Sequence, residues 1–423
     1  MKKNAFTLVE LLAVIAILTI IMVISVPQLI TSIKNKKTDA LEKTKDLLIS
    51  AARNYVIDYE LKVPTSISIE TLCKNDYLEC PIKNPIDNSN LNGYVNVDDN
   101  KVYVYSDTRD YITIRDYIID LYNDESLRTS NGLKKDNTVD TNIRYYGSDP
   151  NNYVSFNNEL WRIIGVFGNN VKLVRSESLG SLSWDSSDSS INKGNGINQW
   201  GESTDVNGNT YLGANLQVYL NKMYYGGDTT VTCYDGSNNT TTTCPTNTLD
   251  RTAKLLIDKH TWSLGAIEMS IEDTISFYNA ERGTANGKTC TSGTYCNDSV
   301  IRTTKWTGYV ALPYITDWAY ASSESACETN IQTKDSSNLF VCKNNNWMQR
   351  SDWTWYLSPG VQSANANYVW TVSGNGNGAN YIMFGAMSKF AYYGSNVAPS
   401  IYLKSSVLMK GGSGTSSDPY KLA

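Results

Sequence analysis

Histidine is nearly absent from this chain of 423 residues, which contains one, His260. General acid–base catalysis, metal ligation and nucleophile activation all draw heavily on histidine, so most hydrolase and metalloenzyme functions are disfavoured. Basic runs are also missing beyond Lys34, Lys36 and Lys37, and the net charge is −5. The sequence therefore carries no electrostatic signature of nucleic-acid binding. We expect neither a cofactor nor a metal site, and no enzymatic activity.

The composition is that of a folded protein. Hydrophobic residues make up 41% of the chain and charged residues 19%, which disfavours intrinsic disorder. The length allows two or three domains with sizeable cores. Tyrosine outnumbers phenylalanine by 29 to 7, and polar aromatic surfaces of this kind are typical of secreted proteins that face other molecules.

Cysteine occurs as pairs that are close in sequence and far from the next pair. The eight residues are Cys73, Cys80, Cys233, Cys244, Cys290, Cys296, Cys327 and Cys342. Because the chain has no CxxC motif, a zinc knuckle or a thioredoxin-like site is disfavoured. The spacing favours four local disulfides formed in an oxidising compartment. The alternative is a set of free thiols in a reducing cytosol.

The N-terminus combines a short basic leader with a long apolar run. Residues 1–5 (MKKNA) contain two lysines, and residues 6–30 are almost wholly apolar. The segment Leu8–Val26 has about the length of 20 residues that a membrane-spanning helix needs, with the leader in the cytoplasm and the rest outside. A signal peptide has its small-residue cleavage site after the apolar run, whereas here Ala5 precedes it. Cleavage between Ala5 and Phe6 would leave the apolar helix on the mature protein.

Glu10 interrupts the apolar run near its start. A carboxylate in a membrane helix costs several kcal/mol unless it is paired or lies near the interface, and such residues are usually functional. After cleavage at Ala5, Glu10 is the fifth residue, and its natural partner is the new α-amino group of Phe6 on a neighbouring subunit. The alternative is a tolerated interfacial glutamate in a plain signal anchor.

The segment KKNAFTLVELLAVIAILTIIMVISVP resembles the N-terminal methylation motif of type IV pilins and type II secretion pseudopilins. The resemblance implies cleavage at Ala5–Phe6 by a prepilin peptidase and N-methylation of Phe6, with Ala5 standing where the family usually has glycine. It also implies that Phe6, Glu10 and Pro27 act in filament assembly. Pro27 removes one helix hydrogen bond and favours a kink or a melted point in the assembled helix.

The remaining pattern predicts an α+β protein built in several parts. A long helix covers residues 6–60, because apolar residues continue at spacings of three and four beyond Pro27. A small pilin-type β head covers residues 61–107, with a hairpin of 94–97 and 102–105. Residues 108–150 are predicted to be a linker with one short helix at 111–122. A larger β-rich domain covers residues 151–423, with strands at 160–167 and 171–175 and a helix at 214–225.

Residues 151–423 contain the segments LWRIIG, WYLSPG and PSIYLK, and close with GGSGTSSDPY. They resemble a surface domain of Gram-positive and wall-less bacteria, which implies a C-type-lectin-like or sulfatase-modifying-factor-like α+β architecture. Trp184 and Trp200 flank a Ser/Gly/Asn-rich stretch and are the candidate ligand surface, since exposed aromatic rings with polar neighbours suit sugars and proteins. The alternative for both is core packing. The carboxylates Glu159, Glu177, Asp317 and Glu324 have no spacing that singles out a glycosidase site.

These observations favour a structural subunit of a pilus or pseudopilus whose enlarged distal domain serves adhesion or surface recognition. Its expected partners are other pilin subunits, the prepilin peptidase, membrane lipid before assembly, and a glycan or cell-surface protein. We expect it in the cytoplasmic membrane before assembly and at the cell surface afterwards. A membrane-anchored surface binding protein that never polymerises is the main alternative, and an extracellular enzyme tethered by the same helix is the other.

Overall fold

The computed structural model contains helices and sheets in comparable amounts, as the predicted α+β class requires. It describes residues 8–186, 200–204, 210–211, 213–236, 239–265, 267–268, 271, 273–285, 288–289, 304–329, 331, 342–343, 345–362, 365–372, 382–383 and 391–423. The chain divides into two compact units, unit 1 (Met1–Ile112) and unit 2 (Thr113–Ala423). Each unit has a hydrophobic core of its own.

Unit 1 is built on one long helix, α1 (Leu8–Asp58), whose backbone remains helical through Pro27. The helix is followed by a left-handed residue, Glu60, with φ of 48°. The amide of Leu61 donates to the carbonyl of Val56 at 3.0 Å, and that of Glu60 to Ile57 at 3.2 Å. This pair of bonds satisfies the last carbonyls of the helix and turns the chain away from its axis. The predicted end of the helix near residue 60 is confirmed.

A three-stranded antiparallel sheet accompanies α1. Its strands lie in the order β1 (Thr65–Ser68), β2 (Tyr94–Val97) and β3 (Tyr103–Ser106). The hairpin of β2 and β3 confirms the prediction, whereas β1 and the short helix α2 (Ile69–Lys74) were not predicted. The apolar face of the sheet packs on the second half of α1 through Leu48, Ala52 and Val56. Four-residue spacing places these three side chains on one face of the helix.

The segment 108–150 is not a linker. It supplies two helices and two strands of unit 2, namely α3 (Ile114–Asn123), α4 (Glu125–Ser130), β5 (Leu133–Lys135) and β6 (Ile143–Tyr145). Ile114, Ile118 and Leu121 form a buried face of α3, and this burial draws the segment into the core. The units therefore divide at residue 112, whereas the larger domain was predicted to begin at residue 151.

Unit 2 contains two larger sheets with several short hairpins and helices. Its strands are β4 (Ile112–Thr113, at the boundary), β5, β6, β7 (Tyr153–Phe156), β8 (Glu159–Phe167), β9 (Asn170–Arg175), β10 (Ser181–Ser183), β11 (Ser203–Thr204), β12 (Thr210–Tyr211), β13 (Cys233–Tyr234), β14 (Thr241–Thr242), β15 (His260–Ser263), β16 (Ile267–Glu268), β17 (Thr284–Ala285), β18 (Lys288–Thr289), β19 (Lys305–Gly308), β20 (Val310–Ala311), β21 (Thr354–Gln362), β22 (Asn365–Val372), β23 (Ile382–Met383), β24 (Gly394–Asn396), β25 (Ser400–Leu403), β26 (Leu408–Met409) and β27 (Tyr420–Lys421). Its further helices are α5 (Asn215–Val218), a π-helical segment (Tyr219–Tyr225), α6 (Arg251–Leu256), α7 (Thr274–Glu281), α8 (Ile315–Tyr320) and α9 (Ala326–Thr329).

The larger sheet has the strand order β20-β25-β9-β8-β6-β5, with β7 beside β8 and β27 beside β7. The predicted strand pair of β8 and β9 is confirmed, and it lies at the centre of this sheet. The second sheet has the order β10-β24-β21-β22-β23, with β16 beside β21. The closing segment of the chain thus returns as β25 and β27 to pair with strands from the start of unit 2.

Three of the predicted disulfides are present. They are Cys73–Cys80 in unit 1, and Cys233–Cys244 and Cys327–Cys342 in unit 2. The fourth predicted pair, Cys290–Cys296, lies outside the described residues. Each bond closes a short loop, as the close spacing of each pair predicts.

Candidate functional site

The first half of α1 exposes its apolar side chains on every side. All residues from Leu8 to Ile21 are exposed, and the exposed fraction of the large apolar side chains runs from 46% at Val14 to 77% at Leu8. A helix that packs on one core has an apolar stripe on one face, whereas this segment is apolar all round. Such a surface is unfavourable in water and requires lipid or the apolar surfaces of other helices.

Glu10 lies in the first turn of α1, and its side chain is exposed. The partial positive charge at the start of a helix favours a carboxylate there. The predicted cleavage bond, Ala5–Phe6, and the predicted methylation site, Phe6, lie outside the described residues. The kink predicted at Pro27 concerns the assembled filament and stays a prediction.

Among the residues that the structure describes, no helix combines the length and the apolar character needed to cross a bilayer. The membrane span predicted for residues 8–26 stays a prediction. The side chains of residues 22–26 lie outside the described set.

Trp184 and Trp200 are core residues, which corrects the prediction that they form a ligand surface. Trp184 is fully buried and Trp200 is 2% exposed. Their ring centroids lie 4.9 Å apart, and Trp355 and Trp306 extend the cluster at 6.1 Å each. Tilted and edge-to-face packing of large rings stabilises a core beyond the area that is buried. Burial of these rings is therefore favourable, which explains their position in the core of unit 2.

A buried network of four charged side chains, not predicted from the sequence, lies in unit 2. Asp317, in the first turn of α8, accepts hydrogen bonds from Lys172 at 2.6 Å and from Arg144 at 2.7 Å. Arg144 also binds Asp136 at 2.7 Å. All four side chains are at most 1% exposed. Two cations and two carboxylates balance in charge, which is the condition for burying them together.

Gly165 brings the two cations of this network together. It lies in β8 between Arg144 of β6 and Lys172 of β9. A Cβ atom at Gly165 would lie 2.1 Å from the carbonyl oxygen of Ile143, so only glycine permits this close approach of the strands. The register of the sheet therefore fixes the positions of both cations.

Burial and pairing act in opposite directions on the titration of this network. Burial alone would raise the pKa of the Asp317 carboxyl, but Lys172 and Arg144 together hold it below its ordinary value. Burial lowers the pKa of Lys172 to about 8, with Asp317 opposing the shift. For Lys172 the cost of removing the charge from water thus exceeds the attraction of its partner.

The four carboxylates considered for glycosidase chemistry have separate surroundings. Glu159 binds Arg175 through two hydrogen bonds of 2.7 and 3.1 Å, and Asp317 belongs to the buried network. Glu324 accepts a hydrogen bond from the side chain of Asn345 at 2.9 Å. Glu177 is exposed. Local pairing accounts for Glu159, Asp317 and Glu324. The absence of enzymatic activity stays a prediction.

The single histidine lines a cavity of about 310 Å³ in unit 2. The His260 ring stacks on Tyr402 with centroids 3.7 Å apart, and its Nδ1 lies 3.3 Å from Asp258 Oδ2. Burial lowers the pKa of His260, and Asp258 opposes this shift. The imidazole is therefore neutral at pH 7, and its ring contacts give it a role in packing.

Comparison with known protein families gives a match at the N-terminus of this chain. The model of the prokaryotic N-terminal methylation motif matches residues 1–26, which covers the basic leader, Glu10 and the exposed start of α1. No curated protein and no solved structure matches the chain. The motif indicates a type IV pilin-like prepilin, with the peptidase processing and subunit assembly that such motifs direct in general.

Proposed function

We propose that the chain is a structural subunit of a type IV pilin-like filament, either a pilus or a secretion pseudopilus. The observation that carries the proposal is the methylation motif at residues 1–26, joined to a helix that exposes apolar side chains all round from Leu8 to Ile21. One stretch of sequence thus contains both the processing signal and a surface that needs apolar partners.

Processing and assembly follow from the chemistry of the motif. The leader keeps the N-terminus in the cytoplasm while the apolar helix lies in membrane lipid. The prepilin peptidase cuts between Ala5 and Phe6, and Phe6 is N-methylated. The helix then exchanges lipid for the helices of neighbouring subunits, and the Glu10 carboxylate pairs with the α-amino group of Phe6 in the next subunit. Because an unpaired carboxylate in an apolar medium costs several kcal/mol, this pairing selects the axial register.

Unit 2 is proposed to face outward and to serve adhesion or surface recognition. Its disulfides support a place outside the cytoplasm, because such bonds persist in oxidising compartments. The proposed partners of unit 2 are a glycan or a protein of another cell surface. We propose no catalytic role, because the one imidazole is engaged in ring packing and the candidate carboxylates Glu159 and Asp317 are paired with cations.

The test compares Glu10→Gln with a matched variant, Glu42→Gln, on the same helix. Glu42 lies beyond the motif at residues 1–26, so its neutralisation leaves the proposed assembly contact untouched. We expect wild type and Glu42→Gln to yield sheared filaments, and Glu10→Gln to reach the membrane while the filament yield falls. Mass spectrometry of the wild-type protein should show an N-terminus at Phe6 that is methylated.

Two results would contradict the proposal. One is an uncut N-terminus in cells that contain a prepilin peptidase. The other is an unchanged filament yield for Glu10→Gln. An uncut protein that stays in the membrane and forms no filaments would instead be a membrane-anchored surface binding protein.

A further inference from the structure

A second cavity of unit 2, of about 250 Å³, is lined by three arginines, Arg162, Arg175 and Arg350. We call it the arginine cavity. Arg162 and Arg175 come from the neighbouring strands β8 and β9, and Arg350 from the segment that precedes β21. Three guanidinium groups at one small cavity repel one another unless anions compensate them, so the partners of each are decisive.

Arg175 is fully paired by the protein. Its Nε and Nη2 donate to the two carboxylate oxygens of Glu159 at 2.7 and 3.1 Å. Its Nη1 donates to the carbonyls of Glu177 and Ser178 at 2.8 and 3.0 Å. Bidentate pairing of this kind neutralises the charge and fixes the side chain. Arg175 therefore lines the cavity in a structural role, with its hydrogen bonds made within the protein.

Arg162 is held rigidly but is weakly neutralised. Its guanidinium carbon lies 4.0 Å from the ring centroid of Tyr153 and 4.7 Å from that of Trp347. Its carboxylate partner, Asp149 at 3.1 Å, has a side chain that is 69% exposed. Because pairs with an exposed member are strongly screened by water, much of the positive charge of Arg162 remains available to a ligand.

Arg350 has neutral partners. It donates to the carbonyls of Ser176 and Arg175 at 2.7 Å each, and the carboxylate that acts on it within the cavity lining is that of the exposed Glu177. Two of its five donor hydrogens thus bond to described residues, and the other three have no partner among them. Burial lowers the pKa of Arg350, Tyr356 and Glu177 oppose this shift, and the neighbouring Arg175 adds to it. Arg350 in turn contributes to a lowered pKa of Arg162.

The cavity also contains an unsatisfied hydroxyl. Ser176 Oγ is buried and forms no hydrogen bond with the described residues, although a buried polar group without a partner costs about 1–3 kcal/mol. Gln349 and Thr354 add an amide and a further hydroxyl to the wall. The lining therefore offers a guanidinium without an ion-pair partner among the described residues, aromatic rings, neutral polar groups and one exposed carboxylate, Glu177.

We propose that the arginine cavity binds an acidic sugar residue, a uronic acid, whose carboxylate pairs with Arg350 and Arg162. The volume corresponds to about eight water molecules, which suits one monosaccharide. A carboxylate matches the guanidinium donors, a sugar hydroxyl matches the unsatisfied Ser176 hydroxyl, and the apolar face of a sugar ring matches Tyr153 and Trp347. The inference rests on the proposed recognition role of unit 2 and names its ligand class.

Calorimetric titration of the full chain in detergent micelles, at low ionic strength, tests the proposal. D-Glucuronate is the probe, and D-glucuronamide is a neutral control of nearly the same shape. We expect glucuronate to bind at least about tenfold more tightly, since a hydrogen bond to a charged group exceeds a neutral one by roughly that factor. Equal affinity for the acid and the amide would overturn the proposal.

Three variants locate the site. Arg350→Gln should weaken glucuronate binding by about tenfold or more, while Arg128→Gln, which changes an arginine outside the cavity, should leave it unchanged. Glu177→Gln removes an exposed carboxylate that lines the cavity, so it should strengthen binding by several-fold without disturbing the fold. Unchanged affinity in Arg350→Gln, or in Glu177→Gln if Arg350→Gln does not fold, would refute the assignment.

Competition by carboxylates that are not sugars tests the ligand class. Acetate or acetylglycine that competes as well as glucuronate would overturn the sugar assignment in favour of a general carboxylate or peptide site. This titration does not depend on filament formation. Glucuronate binding together with normal filaments in Glu10→Gln would refute the proposed assembly role alone. Normal assembly without glucuronate binding would refute the arginine cavity as a sugar site.

Discussion

Replacement of Asp317 by asparagine keeps the size of the side chain and removes the negative charge that Lys172 and Arg144 share. The two contacts measure 2.6 and 2.7 Å, and the side chains are at most 1% exposed. Loss of one partner of a buried pair costs about 3–5 kcal/mol, because the remaining charge is left without compensation. Since whole domains are stable by only about 5–15 kcal/mol, we expect Asp317→Asn to destabilise unit 2 by about 3–5 kcal/mol.

Tryptophan fluorescence during urea unfolding measures this loss in unit 2 alone, because all 10 tryptophans lie between residues 161 and 370. Glu125→Gln, at a side chain that is 89% exposed, is the matched control and should change the midpoint little. The double variant Asp317→Asn/Lys172→Met should be less destabilised than the sum of the two single variants, by about 0.5–3 kcal/mol. Equal midpoints of Asp317→Asn and wild type, or strict additivity, would refute the reasoning.

The pH dependence of the same variant gives an independent check. The folded-state pKa of Asp317 lies below its ordinary value, so its contribution is present above the unfolded carboxyl pKa of about 3.9. The contribution is lost as the pH falls through the folded pKa. The stability difference between wild type and Asp317→Asn should therefore shrink below about pH 4. A difference that stays constant into acid would contradict the assignment of the carboxylate as an ionised partner.

Three further predictions follow from the packing of unit 2. Trp184→Ala should lower its free energy of unfolding by about 3–5 kcal/mol, measured by urea unfolding, and a variant as stable as wild type would contradict the buried position. Cys233→Ser/Cys244→Ser opens a loop with a sequence separation of 11 and should lower the free energy of unfolding by about 2–4 kcal/mol. Reduction of the wild-type protein with no shift in its melting temperature would argue against that bond. Because burial lowers the pKa of His260, wild type should lose stability relative to His260→Gln as the pH falls below about 6.5. Stability that depends on pH in the same way in both proteins would contradict this expectation.

Features whose cause is local were predicted from the sequence. The exposed apolar start of α1 follows from a run of aliphatic residues that few polar residues interrupt, and its end near residue 60 follows from the end of the apolar spacing of three and four. The mainly apolar segments on either side of the turn at Gly168 predicted β8 and β9. Three cysteine pairs form within short loops, where few other partners are within reach. In each case the interaction joins residues that are close in the chain.

Features that depend on distant partners were missed or misplaced. The larger domain was predicted to begin at residue 151, but unit 2 begins at Thr113, because the burial of Ile118 and its neighbours was not apparent in a polar segment. Trp184 and Trp200 were placed at a surface because the adjacent sequence is rich in serine and glycine. Their actual neighbours include Trp355 and Trp306, which lie more than a hundred residues further along the chain.

The sequence alone determined the N-terminal processing motif, the long helix with its apolar first half, and the disulfide pairs that the structure describes. The tertiary structure alone decided which charges meet. Lys172 and Asp317 are 145 residues apart, and the arginine cavity joins residues 162, 175 and 350. Periodicity and composition indicate whether a residue prefers water or a core. The partner of a buried charge depends instead on the register of strands that the whole fold brings together.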